Sequence, residues 1–324
     1  MEYTRLGKSG IKISRVALGC MSFGDRSTGF SEWALGEEDA APFFRQAVEL
    51  GITFWDTANV YSNGTSEEIV GRAITKFSSR EQIVLASKVF FPMHDGPGGG
   101  GLSRKAILEQ VDASLSRLGT DYVDLLQIHR FDPETPVEET MEALHDVVKA
   151  GKARYLGASA MHAWQFAKMQ HTAQLHDWTR FVAMQDQYSL LYREEEREMF
   201  GLLADHGVGS IPYSPLAKGR LARPIGESTK RSSNDPVGNA HFSNTDSEKA
   251  VVDAVARIAE TRGIPMAQVA LAWVLSNPVV SAPIVGATKE DHLADAAAAV
   301  DITLTADEIT SLEENYATRL PVGY

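Results

Sequence analysis

Four side chains of different chemistry stand at the ends of apolar runs in this 324-residue sequence. Asp56 follows Ile52–Trp55 in FWDTANVY, and Tyr61 lies further along the same segment. Lys88 closes IVLASK, and His129 closes VDLLQIH. Taken singly, each has a plain reading: a cap, a packing aromatic, a satisfied core histidine. A lysine completing a buried strand, however, must be paired. Together, an acid, a phenol, an amine and an imidazole suit polarisation of a carbonyl and protonation of the alkoxide that forms. A phenol with its ordinary pKa of about 10 is a poor acid near neutrality. An ammonium about 4 Å away favours the phenolate by about 4 kcal/mol at an effective dielectric of about 20, roughly three pKa units before burial opposes it. Lys88 is therefore expected to bring Tyr61 toward working pH. Asp56 would hold Lys88 charged and oriented, and His129 would orient the substrate oxygen.

Such a site supplies a proton but no electrons, so a hydride from a soluble cofactor is its natural complement. Tyr213 ends a later apolar run and is followed by SPLAKGR; Gly286-Ala-Thr-Lys289 follows another, just before a helix that begins near Glu290. Lys218, Arg220 and Lys289 beside a helix N-terminus suit a pyrophosphate and a further phosphate.

The elements that must position these residues alternate along the chain. Strand-like runs are expected at Val16–Leu18, Ile52–Trp55, Ile83–Ala86, Val123–Ile128, Arg154–Leu156, Phe181–Met184, Gly209–Pro212 and Pro283–Val285. Helical spacing recurs at Glu37–Leu50, Arg104–Leu118, Val137–Ala150, Trp164–Leu175, Glu194–His206, Ala250–Thr261 and Met266–Leu275. Gly51, Gly119, Gly151 and Gly207 sit just past helical runs, where a left-handed cap favours glycine. This β/α alternation predicts an α/β fold, a (β/α)8 TIM barrel, with an open doubly wound sheet as the alternative. No linker, repeat or composition shift divides the chain, so a single domain over residues 1–324 is expected. Phe91–Gly101 and Ala222–Glu248 read either as surface loops or as ligand-closing lids.

Composition removes other classes. A net charge of −12 argues against nucleic acid or an anionic membrane as the main partner. The single cysteine, Cys20, excludes an intrachain disulfide and suits a reducing cytoplasm. No apolar stretch approaches the ~18 residues of a membrane span, and the N-terminus has no secretory h-region. The nine histidines show no metal-ligand spacing, so no metal is expected. Gly96, Gly98 and Gly101 match GxGxxG, but they begin well past the strand, where a Rossmann turn cannot be built.

These residues resemble the aldo-keto reductase superfamily over nearly the whole chain, from YTRLGKSGIKISRVALGCMSFG through DTANVY, ASK, LLQIH and YSPLAKGRL to PIVGATKEDHL. The ordered set Asp56, Tyr61, Lys88 and His129 is similar to that family's catalytic tetrad. The chain looks closest to the branch containing potassium-channel β subunits and many bacterial reductases. The resemblance implies a TIM barrel, extended NADP(H) and reversible reduction of a small-molecule aldehyde or ketone to an alcohol, with Tyr61 as proton donor. It implies that Ser159 and Gln185 bind the nicotinamide carboxamide and that Tyr213 stacks on its ring. Ser214, Leu216, Lys218, Gly219 and Arg220 match the pyrophosphate loop; Gly286, Thr288, Lys289, His292 and Asp295 match the adenosine-phosphate segment. Ala160 stands where the family often has Asn, His292 where it often has Arg, and Ala296 where it often has Asn. These departures weaken the NADP signature, and NAD(H) is the alternative cofactor. Met21, Phe23, Trp55 and Phe90 are expected to line a partly aromatic substrate pocket. A cofactor-sensing regulatory subunit with little turnover and a cofactor-free barrel hydrolase or lyase are the competing readings. The oligomeric state is left open.

Overall fold

The computed structural model describes residues 1–28, 33–225 and 245–321. An antiparallel hairpin of β1 (Tyr3–Arg5) and β2 (Lys12–Ser14) precedes the main sheet. That sheet contains β3 (Ala17–Gly19), β4 (Phe54–Asp56), β5 (Val84–Val89), β6 (Val123–Ile128), β7 (Ala153–Ser159), β8 (Phe181–Gln185), β9 (Gly209–Ser210) and β10 (Ile284–Gly286). Its order is β10-β3-β4-β5-β6-β7-β8-β9, and every pairing is parallel.

The sheet curls until its two ends meet, but it closes incompletely. Between the β9 and β10 segments there is a bridge, Ser210 to Val280, instead of a ladder. Backbone bonds from Ser210 N to Val279 O (2.9 Å), Ser281 N to Ser210 O (2.8 Å) and Ile284 N to Pro212 O (2.8 Å) draw the ends together. Pro212 and Pro283 have carbonyls to offer but no N–H, so a continuous ladder cannot form there. The expectation of a fully closed eight-stranded barrel is corrected to that extent.

Helices cover the outside. They are α1 (Glu37–Glu49), α2 (Thr65–Phe77), α3 (Arg104–Leu118), α4 (Val137–Lys149), α5 (Ala163–Leu175), α6 (Met199–His206), α7 (Asp246–Arg262), α8 (Met266–Ser276), α9 (Asp291–Ala299) and α10 (Ala306–Glu313). Gly51, Gly119, Gly151 and Gly207 all take positive φ, as their positions after helices require. The pattern reading passes over α2, although Ile69, Val70, Ala73 and Ile74 form its buried face. Gly71 interrupts that face for a packing reason: a Cβ there would stand 2.2 Å from Leu118 O of α3. The helical stretch expected from Glu194 instead begins as a 3₁₀ turn, Glu194–Glu196, and α6 follows. Residues 91–101 form an irregular loop after β5; most of the Ala222–Glu248 segment lies outside the described residues.

Strand alternation sorts the core into two layers. Leu18, Trp55, Leu85, Leu126 and Leu156 face the helices. Ala17, Phe54, Ala86, Leu125, Ala183 and Ile211 fill the inside of the sheet, together with Leu6 and Ile13 of the hairpin. The hairpin therefore seals the N-terminal end of the sheet. Gly7, at φ 56°, packs so tightly there that a Cβ would lie 2.4 Å from Gly207 O. Two residues further along β4, β5, β6 and β8, the same inward face carries Asp56, Lys88, Gln127 and Gln185. The interior is thus apolar at the sealed end and polar at the other.

Candidate active site

Lys88 is fully buried, and its ammonium spends its three protons on three named acceptors. Nζ donates to Asp56 Oδ2 (2.6 Å) and Thr57 O (2.8 Å), and it lies 3.2 Å from Tyr61 Oη. Asp56 Oδ1 accepts from Gln127 Nε2 (2.9 Å) and Gln185 Nε2 (3.0 Å). Gln185 also donates to Gln127 Oε1 at 3.1 Å. The two glutamines lock the carboxylate plane, so its other oxygen faces the ammonium. Residue type and spacing assign no role to Gln127; the pairing of Lys88 with Gln127 across β5 and β6 places it on the same inward face.

The loop between β4 and α2 presents Tyr61. Ser62 (φ 47°), Asn63 (φ 51°) and Gly64 (φ 91°) turn in the left-handed region, which costs free energy for the two non-glycine residues. The surroundings hold this turn. Asn59 Nδ2 donates to Gln110 Oε1 of α3 (2.7 Å), Thr65 Oγ1 donates to Ser62 O (2.9 Å), and Asn59 N reaches Lys88 O (3.2 Å). Behind the loop, buried Glu67 accepts from Arg117 Nε at 2.7 Å and from Ser87 Oγ.

His129 completes the group. Its ring stands edge-on to Tyr61 at 5.8 Å between centroids, with Phe91 on another side at 4.9 Å. Its Nδ1 is buried without a hydrogen-bond partner among the described residues. All four residues singled out by type and position are brought together.

The electrostatics differ from expectation at Tyr61. Burial raises the phenol above its ordinary value; Lys88 opposes this, while Asp56 adds to it. The expected fall toward working pH does not occur, because desolvation of a buried phenolate outweighs one ammonium that is already neutralised by Asp56. For Lys88, burial pulls downward, but Asp56 and Tyr61 together hold it above its ordinary value. Burial, then the charges of Lys88 and Arg130, push His129 well below its ordinary value, so the imidazole is neutral.

The segments expected to meet a cofactor lie along the same end of the sheet. Ser159 Oγ donates to Gln185 O at 2.9 Å. Tyr213 is placed beside β8, with its N–H on Asp186 O at 2.8 Å. Ser214 (φ 54°) opens a tight turn in which Leu216 precedes Ala217 (φ 47°), Lys218 (φ 57°) and Gly219 (φ 91°), and Arg220 follows half-buried. After β10, Lys289 is exposed at the start of α9, while Thr288 N donates to His292 Nδ1 at 3.3 Å. Asp295 Oδ1 is engaged by Gln268 Nε2 at 2.8 Å.

The expected pocket wall divides. Met21 is 38% exposed, and Phe90 is half-buried and edge-on to Phe91 at 5.1 Å. Phe23 and Trp55 do not line an open cleft. Both are wholly buried in the layer between sheet and helices, each packed on Phe44 (4.8 and 5.1 Å). The reason is register: if Asp56 faces inward, its neighbour Trp55 must face out. Among the described residues no cluster could hold a metal ion, and no helix is long and apolar enough to cross a membrane.

A buried Lys–Asp pair thus lies against a tyrosine and a neutral histidine at the polar end of a curled parallel sheet. The Aldo/keto reductase family model matches residues 15–317, and the chain belongs to that family. It is 46% identical to the versiconal hemiacetal acetate reductase of Aspergillus parasiticus, over 98% of this chain and 97% of that protein. It is 44% identical to an aldo-keto reductase of Fusarium vanettenii (100% and 93% covered) and 43% identical to one of Metarhizium robertsii (100% and 93% covered). These relatives are fungal, which corrects the expected placement in the bacterial and potassium-channel β-subunit branch. Membership supports enzymatic activity as an oxidoreductase with an NADP(H)-type cofactor.

Proposed function

We propose that the protein is an NADP(H)-dependent reductase that reversibly converts aldehydes or ketones to alcohols, acting as a single-domain (β/α)8 enzyme of the cytoplasm. The observation that carries the reading is the contact of Lys88 Nζ with both Asp56 Oδ2 (2.6 Å) and Tyr61 Oη (3.2 Å). The fungal relative named as a hemiacetal acetate reductase is in keeping with carbonyl-level substrates.

Three features suit a nicotinamide dinucleotide. Gly286 is exposed after β10, and a Cβ there would fill the space toward Ser22 Oγ, 3.3 Å away. Lys218, Arg220 and Lys289 supply cations on the two loops that follow β9 and β10, beside the N-terminus of α9. Gln185 offers its amide beside Asp56, and Ser159 its hydroxyl beside Gln185. On this reading Ser159 and Gln185 hold the carboxamide, and Tyr213 covers the ring. Ser214, Leu216, Lys218, Gly219 and Arg220 hold the pyrophosphate, and Gly286, Thr288, Lys289, His292 and Asp295 hold the adenosine phosphate.

When bound, NADPH supplies the hydride that reaches the carbonyl carbon. Tyr61 Oη gives its proton to the oxygen as charge develops there. The raised phenol pKa keeps this acid loaded throughout the neutral range. Lys88 stabilises the phenolate that remains, and Asp56 keeps Lys88 charged during the transfer. His129, held neutral, donates one N–H to the same oxygen and fixes its position. Met21 and Phe90 border the substrate.

The test is multiple-turnover NADPH oxidation with a panel of aldehydes and ketones, comparing wild type with Tyr61→Phe. Loss of the acid should cut kcat by about 10²–10⁴-fold, the usual range for general acid catalysis, while NADPH still binds. Normal turnover by Tyr61→Phe would remove Tyr61 as the acid.

A further inference from the structure

Arg130 directly follows His129 and has no role in the chemistry above. It is half-buried, and its Nη1 donates to His129 O at 2.6 Å. Its guanidinium lies 5.5 Å from the Phe91 ring, which itself packs against His129. The acid nearest in sequence is not its partner. Asp132 is consumed by Leu102 N (2.8 Å), Thr135 Oγ1 (2.7 Å) and Glu134 N (3.0 Å). No carboxylate of the described residues forms an ion pair with Arg130. A partly desolvated guanidinium without a counter-ion is costly to maintain, and an incoming anion removes that cost.

Position narrows the anion. The sheet order places β6, which carries Arg130 at its end, three strands from β9 and four from β10. The phosphate-suited loops follow β9 and β10, so Arg130 stands across the mouth from them, on the side of His129 and Phe91. Its charge acts on Tyr61 and His129, which flank the reacting carbonyl on the reading above, and on Tyr213, which covers the nicotinamide ring. The neighbouring surface is aromatic: Phe90 is edge-on to Phe91 at 5.1 Å, and Phe131 is edge-on to Trp164 at 6.1 Å, with Trp164 60% exposed. Flat apolar rings beside one unneutralised, fork-shaped cation match an arene bearing a carboxylate.

We propose that Arg130 is a specificity-determining residue that selects aromatic carbonyl substrates carrying a carboxylate, which its guanidinium pairs with while the ring packs on Phe90 and Phe91. The proposal rests on the reductase reading for its substrate, but the anion site itself does not.

The experiment compares 4-carboxybenzaldehyde with its methyl ester as substrates of wild type, Arg130→Gln and Arg130→Lys, using NADPH. The ratio of kcat/KM, acid over ester, is the readout; a general disturbance of His129 lowers both numbers and cancels. The ratio should fall about 10- to 100-fold in Arg130→Gln, the span of hydrogen bonds to charged groups. Arg130→Lys should retain part of the preference. Raising ionic strength from about 0.05 to about 0.5 M should lower the wild-type ratio by screening. In parallel, calorimetric titration with benzoate, against benzamide as the neutral control, reads the anion site without turnover. Wild type should bind benzoate in preference to benzamide, and Arg130→Gln should lose that preference. An unchanged kcat/KM ratio, or equal benzoate binding by wild type and Arg130→Gln, overturns the proposal. Failure of wild type to reduce either aldehyde, with benzoate still bound through Arg130, would instead count against the reductase reading and leave the anion site standing.

Discussion

Asp56→Asn isolates the electrostatic heart of the site. Lys88 Nζ lies 2.6 Å from Asp56 Oδ2, with both side chains buried. At an effective dielectric of about 20 this separation gives about 6 kcal/mol of attraction. Desolvation costs several kcal/mol for each ion, so the intact pair comes near to breaking even. The substitution deletes the attraction and keeps the cost of the buried ammonium. It also sets an amide N–H₂ against Nζ, because Gln127 and Gln185 already claim the other oxygen. The variant should therefore unfold in urea with a stability about 3–5 kcal/mol below wild type near neutral pH. Asp56→Asn/Lys88→Met, which buries no charge, should regain most of that loss. The pH dependence should reverse as well. In wild type the Lys88 pKa is raised above 10.5, so the pair's contribution is complete below 10.5 and is lost as pH climbs through the folded value. Without Asp56, burial dominates and the folded pKa drops below 10.5, so the variant gains stability as pH rises toward that value. A single variant within about 1 kcal/mol of wild type, or a double variant no more stable than the single, would refute the account of Lys88 as an ammonium that depends on Asp56.

Lys289→Ala should raise the apparent Kd for NADPH about tenfold or more through loss of a charged hydrogen bond, with a much smaller change for NADH. Equal changes in fluorescence titrations would remove Lys289 from phosphate recognition. Asp186 is fully buried, with neither carboxylate oxygen hydrogen-bonded among the described residues, and burial followed by Glu195 raises its pKa well above 3.8. The folded state then holds this proton more tightly than the unfolded state, so stability falls as pH rises from 3.8 toward the folded value. Asp186→Asn should raise the melting temperature more at alkaline than at acidic pH; an equal shift at both would show that the carboxyl does not titrate as described.

The polar end of the sheet is readable because Asp56, Lys88 and His129 lie at or beside strand ends, with Tyr61 on the loop after one of them, and strands announce themselves by apolar runs. Val123–Ile128 is the same in pattern and structure, and His129 follows from it directly. The alternation that puts Asp56 inward also puts Trp55 outward, because nearness in sequence to a site residue is not nearness in space. The direction at Tyr61 was not readable. It depends on how completely the folded chain removes water from the phenol, which no spacing encodes. The β1–β2 hairpin is not legible because its strands, Tyr3-Thr4-Arg5 and Lys12-Ile13-Ser14, carry no apolar run. Gln127, Asn59 and Gln110 were missed because amides carry no charge signal; only partners distant in sequence reveal what they hold.

The seal at the foot of the sheet ties the first residues of the chain to its last strands. Leu6 and Ile13 sit among the innermost side chains, and Gly7 abuts residues 207–209. Arg15 reaches the carbonyls of Leu275, Val280 and Ser281 at 2.8–2.9 Å. A ribosome releases these parties in the order that delays their meeting longest. The opening segment must wait undocked until residues 207–281 have been made, and an interrupted translation product lacking them would keep its lower opening wet.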